Sequence, residues 1–282
     1  MSFVAPALAS PLKDHLITPN LWSAEEKFDG HRLIVRVGDK TSRTLFEAAN
    51  DETGIRAWSR DEKDRILPPH LRESLRRLPD GIYDGELLVP GRRSFDVTVL
   101  ENVNKLVFMV FDVVQLLGRD LTFQAPVMAS YDERRSLLEE IFRDERPGVK
   151  LAWSKIIKSR DEISVLAKEV WARDGEGLIL KRRASPYAPG KRTKDWLKIK
   201  QLRSAVLTVI GFTAGTMGQH SVTLLRDEEG YETSVKWKNL DLLRQVESDP
   251  DKFVGRRLMI EYQERTPDGG YRHPRWDRWE TE

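Results

Sequence analysis

Glu25-Glu26-Lys27-Phe28-Asp29-Gly30-His31-Arg32 sets a lysine amine in a tight, charged turn near the start of a chain of 282 residues. A lysine attacks as a nucleophile only when its amine is neutral, which calls for desolvation or neighbouring cations. Gly30 lets the backbone turn sharply or pass close to a ligand, and Asp29 can bond the amides of the turn. Arg32 presents a fixed fork of donors suited to phosphate or carboxylate. The same residues also make an ordinary charged turn before a strand, and the rest of the chain decides between the two.

Working outward, Leu33, Val35 and Val37 alternate with outward positions, so a strand leaves the turn directly. A second strand is expected at Ile55 to Ser59, followed by Arg60 and the charged turn Asp61-Glu62-Lys63-Asp64. Pro68-Pro69 opens a short helix through Leu78, with Leu71, Leu75 and Leu78 on one face. Gly81 to Val89 is a strand with two acids in its middle, and alternation places Asp84 and Glu86 on one face. Carboxylates there suit ribose hydroxyls or a metal, or else a solvated face. Leu106 to Val114 is an apolar run broken by Asp112, as for a buried central strand in which Phe111 is core by default.

Ser130-x-x-Glu133 and Ser159-x-x-Glu162 are capping boxes that start two helices of about three turns, with a strand from Lys150 to Ile157 between them. Asp174-Gly175 ends the second helix, and Glu176 opens a strand that runs to Lys181. Trp196 to Lys200 forms another strand, with Lys198 and Lys200 on one face, where their repulsion calls for an anion. Residues 1–24, rich in Pro and Ala, read as an arm laid over the domain. This mixture without a regular βαβ repeat predicts an α+β domain with an antiparallel or mixed sheet over residues 1–202. After a joint near Leu202, candidate strands at Ala205 to Phe212, Ser221 to Arg226, Tyr231 to Trp237, Arg256 to Arg265 and Tyr271 to Trp279 predict a small all-β OB-fold domain. Asn239 would cap its one helix, and the domain covers residues 203–282.

Composition narrows the chemistry. Hydrophobic residues make up 39% and charged residues 33%, as in a globular protein with a heavily charged surface. No apolar run approaches the roughly 20 residues of a membrane helix, and no signal-peptide pattern opens the chain, so a cytoplasmic location, in a bacterium or a virus-infected cell, is expected without membrane contact. The absence of cysteine removes thiolate catalysis and cysteine-ligated zinc, and five scattered histidines leave a hard cation held by carboxylates as the metal to expect. Net charge is only +2, yet between Lys181 and Arg203 nine cations face the single anion Asp195. That segment can bind polyphosphate or a nucleic-acid backbone, or form a solvated basic face.

Taken in order, Lys27-x-Asp29-Gly30-x-Arg32, Ser59-Arg60, Asp84-Gly85-Glu86, Phe111-Asp112, Glu176-Gly177-x-x-x-Lys181 and Trp196-x-Lys198-x-Lys200 resemble the nucleotidyltransferase motifs of ATP-dependent DNA ligases of the minimal viral or bacterial type. The superfamily also holds RNA ligases and GTP-dependent capping enzymes, the alternative activities. The resemblance implies that Lys27 attacks the α-phosphate of ATP, holds AMP as a phosphoramidate and passes it to the 5′-phosphate of nicked double-stranded DNA. It further implies that Glu86 binds ribose and contributes to a metal site, that Phe111 stacks on adenine, and that Glu176 holds Mg2+, with Mn2+ as an alternative. Lys198 and Lys200 would neutralise the α-phosphate with Lys181 nearby, while the backbone at Glu25 reads the adenine edge. Arg32 and Arg60 would reach nucleotide or nick phosphates, and Arg192, Arg275 and Arg278 complete the expected DNA contacts of a monomer. Two departures stand out: Asp61-Glu62-Lys63 replaces the Asn-Gly of many relatives, and the C-terminal Arg272 to Trp279 matches the family's basic motif only loosely. A non-catalytic binder built from a basic groove and an OB barrel is the alternative from another class, and a metal-binding acid among phosphate-binding cations speaks against it.

Overall fold

Successive side chains of the strands that follow Lys27 leave opposite faces, and this period of two gives each strand one face for an outer core and one for the layer within. The structure, a computed structural model, describes residues 3–12, 17–38, 54–213, 222–236, 240–266 and 268–280. Contacts divide it into Met1–Ile199 and Lys200–Glu282. The first unit begins with strands β1 (Leu8–Pro11), β2 (Trp22–Lys27), β3 (His31–Val37), β4 (Ile55–Ser59) and β5 (Gly81–Leu88) and helix α1 (Pro69–Leu75). It continues with β6 (Val107–Leu116), β7 (Arg119–Asp120), helix α2 (Tyr131–Ile141), β8 (Val149–Leu151), β9 (Ser154–Ile156), helix α3 (Arg160–Ala172), β10 (Gly177–Arg182) and β11 (Arg192–Lys200).

These strands form two sheets, one ordered β4-β3-β5-β6-β7 with β8 parallel to β6, the other ordered β1-β11-β10-β2-β9. Leu33, Val35, Tyr83, Phe108 and Val110 bury one face of the first sheet with Leu71 and Leu75 of α1 and Leu138 of α2. Trp22, Ala24, Leu178, Leu180 and Leu197 bury the outer face of the second with Ile163, Leu166 and Val170 of α3. The two inner faces meet through Ile34, Trp58, Ile82, Phe111, Tyr187 and Trp196. With a full apolar core outside each sheet, the layer between them is free to hold charge. The result is the expected α+β class.

Local details depart from the sequence expectations for identifiable reasons. Residues 1–24 are not merely an arm: Leu8–Pro11 pairs in parallel with β11, a partner too distant in sequence for local pattern to reveal. The strand expected from Lys150 to Ile157 is two short strands, one in each sheet, because the chain crosses between sheets at Ala152. The helix from Pro69 stops at Leu75. The Ser130–Glu133 box is reciprocal, whereas Glu162 turns instead to the Lys158 amide at 2.8 Å.

The second unit is a curled antiparallel sheet of OB type. Its strands β12 (Arg203–Thr213), β13 (Val222–Arg226), β14 (Glu232–Lys236), β15 (Arg257–Tyr262) and β16 (Arg275–Trp279) run in the order β14-β13-β12-β15-β16. Helix α4 (Leu240–Ser248) connects β14 to β15, and the proposed Asn239 cap lies outside the described residues. The core is Leu207, Val209, Leu225, Val235, Leu258 and Ile260, with Trp276 and Trp279 packed against it. A bulge in β16 leaves Asp277 without a register partner. An odd separation on a regular strand would point Arg275 and Arg278 to opposite faces; the extra residue turns both outward and both tryptophans inward.

Candidate active site

Lys27 closes β2, and antiparallel pairing with β10 sets it opposite Gly177, one residue past Glu176. The Lys27 ammonium donates to Glu176 Oε2 at 2.6 Å, with both side chains partly exposed at 23% and 15%. Gly30 follows because the chain here grazes β5: a Cβ on it would stand 2.3 Å from the Leu87 carbonyl oxygen and 2.9 Å from Glu86 Cγ. Glu86 is thereby held against the lysine turn. Burial pushes its carboxyl up to about 7, against the pull of Arg32 and Lys27 and assisted by Glu176 and Asp84. Two acids and an amine thus share one pocket wall.

Arg32 is committed to Asp84. Its Nε and Nη2 donate to Asp84 Oδ1 and Oδ2 at 2.5 and 2.6 Å, a bidentate fork, and its guanidinium lies 4.4 Å from the centre of the Phe111 ring. Tyr187 Oη also donates to Asp84, at 2.5 Å, so a carboxylate with no solvent exposure has its charge matched. Both Asp84 and Glu86 face inward from β5, and Gly85 between them is required by contact, since a Cβ there would stand 2.5 Å from the Met109 carbonyl oxygen.

Phe111 owes its place to a β-bulge. The β5–β6 register steps from Asp84↔Asp112 to Gly85↔Val110, leaving Phe111 unpaired. Strict alternation would send Phe111 and Asp112 to opposite faces; with the bulge, both serve the layer between the sheets. Asp112 accepts from Arg134 Nε at 2.7 Å and Nη2 at 3.2 Å and from Lys181 at 3.3 Å. Burial opposes its ionisation, but Arg134 and Lys181 outweigh that and hold the carboxyl below its ordinary range. Lys181 also donates to the Phe111 carbonyl at 2.8 Å and meets Glu25 Oε2 at 2.9 Å. The other Glu25 oxygen accepts from Tyr131 Oη at 2.6 Å.

The sequence-predicted residues therefore separate into groups. Lys27, Glu86 and Glu176 come together; Arg32 and Phe111 lie against each other beside them; Glu25 and Lys181 are buried behind them. Lys198 lies on β11 with the core residues Leu197 and Ile199 on either side, so its side chain leaves the opposite face. Lys200, counted with the second unit, reaches Gln263 Oε1 at 3.4 Å. Arg60 is exposed on the turn after β4, where Glu62 takes φ 62°, the left-handed conformation that glycine adopts most readily. Arg192 is exposed and donates to the Ala9 carbonyl, while Arg278 pairs with Asp277 at 2.7 Å and Arg275 is exposed on β16.

The nine-cation segment is not one basic face, because Lys181 points inward, Arg182 faces Asp195 at 3.6 Å and Arg183 binds Asp132 at 2.7 Å. Sequence reading missed Arg134, Tyr131 and Tyr187, for a cation and a tyrosine on a capped helix and a tyrosine between prolines carry no local mark of burial. Among the described residues no three His, Cys, Asp or Glu side chains form a metal cage. Glu86 and Glu176 nonetheless suit Mg2+, which is commonly held by one or two carboxylates and completed by substrate phosphates. No helix among the described residues is long and apolar enough to cross a membrane.

A family model described as the ATP dependent DNA ligase domain matches residues 6–200. The bifunctional non-homologous end joining protein LigD of Bacillus subtilis is 26% identical over 270 residues, covering 89% of this chain and 41% of that protein. A DNA ligase of Methanothrix thermoacetophila is 27% identical over 241 residues, covering 76% of this chain and 40% of the other. The chain thus spans less than half the length of these relatives. Among solved structures, one from work on Lig E DNA ligases and DNA binding with a minimal scaffold superposes with a TM-score of 0.71 at 20% identity, covering 98% of this chain and 99% of that one. The bacteriophage T7 ATP-dependent DNA ligase, solved in complex with ATP, gives 0.52 at 19% identity over 98% of both chains. At these identities the structural likeness speaks to the fold.

Proposed function

This chain belongs to the ATP-dependent DNA ligase family, and from that premise we propose that it seals nicks in duplex DNA with ATP. The observation that carries the proposal is the Lys27–Glu176 contact of 2.6 Å beside Glu86, an amine and two acids on the inner wall of a two-sheet unit. Lys27 Nζ attacks the α-phosphorus; a P–N bond forms, the bond to the β-phosphate breaks and pyrophosphate leaves. The amine must first lose its proton, and Glu176 Oε2 is the acceptor already in hydrogen-bond reach. The 5′-phosphate of the nick then takes the adenylate from Lys27, and the 3′-hydroxyl displaces AMP to close the strand.

The remaining residues position and neutralise, which is most of what phosphoryl transfer asks of a protein. Phe111 offers a face to adenine, Glu86 a carboxyl to ribose, and Lys198 with Lys200 positive charge to the α-phosphate. Arg32, locked by Asp84, supplies a fixed cation beside Phe111. Glu86 and Glu176 would hold Mg2+, which when bound supplies charge neutralisation at the phosphates. Arg60, Arg192, Arg275 and Arg278 give exposed cations for the DNA backbone.

Incubation with α-labelled ATP should attach label to the protein, and the Lys27→Ala variant should lose it by at least about a thousandfold. A chase with nicked DNA should discharge the label into a sealed strand. Label retained in Lys27→Ala would sink the nucleophile, a preference for GTP would point to capping, and discharge only on nicked RNA would point to an RNA ligase.

A further inference from the structure

Lys181 is 1% exposed, and its ammonium donates to the Phe111 carbonyl at 2.8 Å and to Asp112 Oδ2 at 3.3 Å and forms an ion pair with Glu25 Oε2 at 2.9 Å. Three protein oxygens surround the buried ammonium, two of them from carboxylates that match its charge. Its acceptors are in turn satisfied elsewhere, Glu25 by Tyr131 and Asp112 by Arg134 and the Val113 amide. The Trp196 and Phe111 rings close over the ammonium with centres 4.2 and 4.9 Å away.

What this network joins is specific. Glu25 lies two residues before Lys27 on β2, so both side chains leave the same face of that strand. The Phe111 carbonyl and Asp112 belong to the bulge of β6, in the other sheet. Lys181 itself stands on β10, opposite Ser23 of β2. One buried cation therefore ties the strand that ends in the amine to the residue that offers its ring to adenine. Burying ions this way gains little stability against well-packed apolar residues of the same volume, but it fixes geometry that apolar packing leaves slack.

We propose that Lys181 is a positioning residue, whose ammonium sets the spacing between Lys27 and the Phe111 ring and touches no phosphate. The inference rests on the ligase reading of the site. Its test compares adenosine with ATP, because a strut holds the base and the triphosphate alike, whereas a phosphate ligand is felt by ATP alone. In the full chain, Lys181→Met should weaken binding of both adenosine and ATP by the same factor, on the order of tenfold. Self-labelling at saturating ATP should slow by about a hundredfold, as expected when a nucleophile is misplaced by an ångström. Lys181→Arg, which restores the charge, should recover part of both losses.

If Lys181→Met does not fold, as judged by circular dichroism, the double variant Lys181→Met with Glu25→Gln removes the cation and one matching acid together and carries the same comparison. Loss of ATP affinity with adenosine unchanged, or neither affinity changed, would overturn the proposal. A wild-type chain that takes no label from ATP would instead overturn the ligase reading beneath it.

Discussion

The two units treat charge in opposite ways. In the first, Glu25, Asp84, Asp112, Arg134 and Lys181 are each no more than 2% exposed and are matched oxygen by donor between two sheets. In the second, the pairs Arg226–Glu232 and Arg257–Glu280 lie on the sheet's outer surface. Exposed pairs of that kind contribute about 0–1 kcal/mol and are screened by salt. Buried ones cost several kcal/mol to desolvate and repay it only when every lone pair is used. The contrast is one of rigidity: the first unit fixes these charged groups in place between its sheets, and the second leaves these cations at its surface.

Breaking the buried side should show the largest effect. Asp112→Ala removes the partner of Arg134 and Lys181 at once and should destabilise the first unit by about 3–5 kcal/mol in urea unfolding. A loss below about 1 kcal/mol would mean that the network is wetter than its geometry implies. Next in size is the exposed face of β16, where Arg275→Ala and Arg278→Ala should each weaken binding to nicked DNA several-fold and lower the salt slope of log K by about 1. Stability should be unaffected by either change, and an unaltered salt slope would place the DNA elsewhere.

The smallest effect concerns Asp227, an acid of the second unit held by Arg265 and Tyr271. Burial opposes its ionisation, but Tyr271, Arg265 and the Tyr231 amide all donate to it, and the balance leaves its carboxyl below the ordinary range. A depressed folded value means stabilisation that is complete above the unfolded value of about 3.9 and lost as pH falls through the folded one. Thermal melting of the wild type should therefore drop toward Asp227→Asn below about pH 4, and a constant gap between them down to pH 2 would refute the assignment.

Much of this contrast was legible in the sequence, and the gaps have physical causes. Period-two alternation around Leu33 and around Asp84-Gly85-Glu86 was enough to place β3 and β5 and their inward acids. Lys27 and Glu176 were picked out by motif order, and the β2–β10 register makes them neighbours. The bulge at Phe111 was not legible, since an extra residue in a strand leaves the composition unchanged and alters only the register. Nor was the burial of Lys181 and Arg134, because a cation reads as surface until the acid facing it across the fold is known. Leu8–Pro11 was lost for a related reason, its partner β11 lying at the far end of the unit.

That distance has a consequence during synthesis. Lys27 and Glu176 are 149 residues apart, and β2, the strand that ends in Lys27, finds its partners β9 and β10 only far later in the chain. A nascent chain carries Lys27 early, yet the acid beside it, the strand across from it and the lysines of β11 emerge only when nearly the whole unit has been translated. Completion of the unit and assembly of the Lys27–Glu176 contact are thus a single late event.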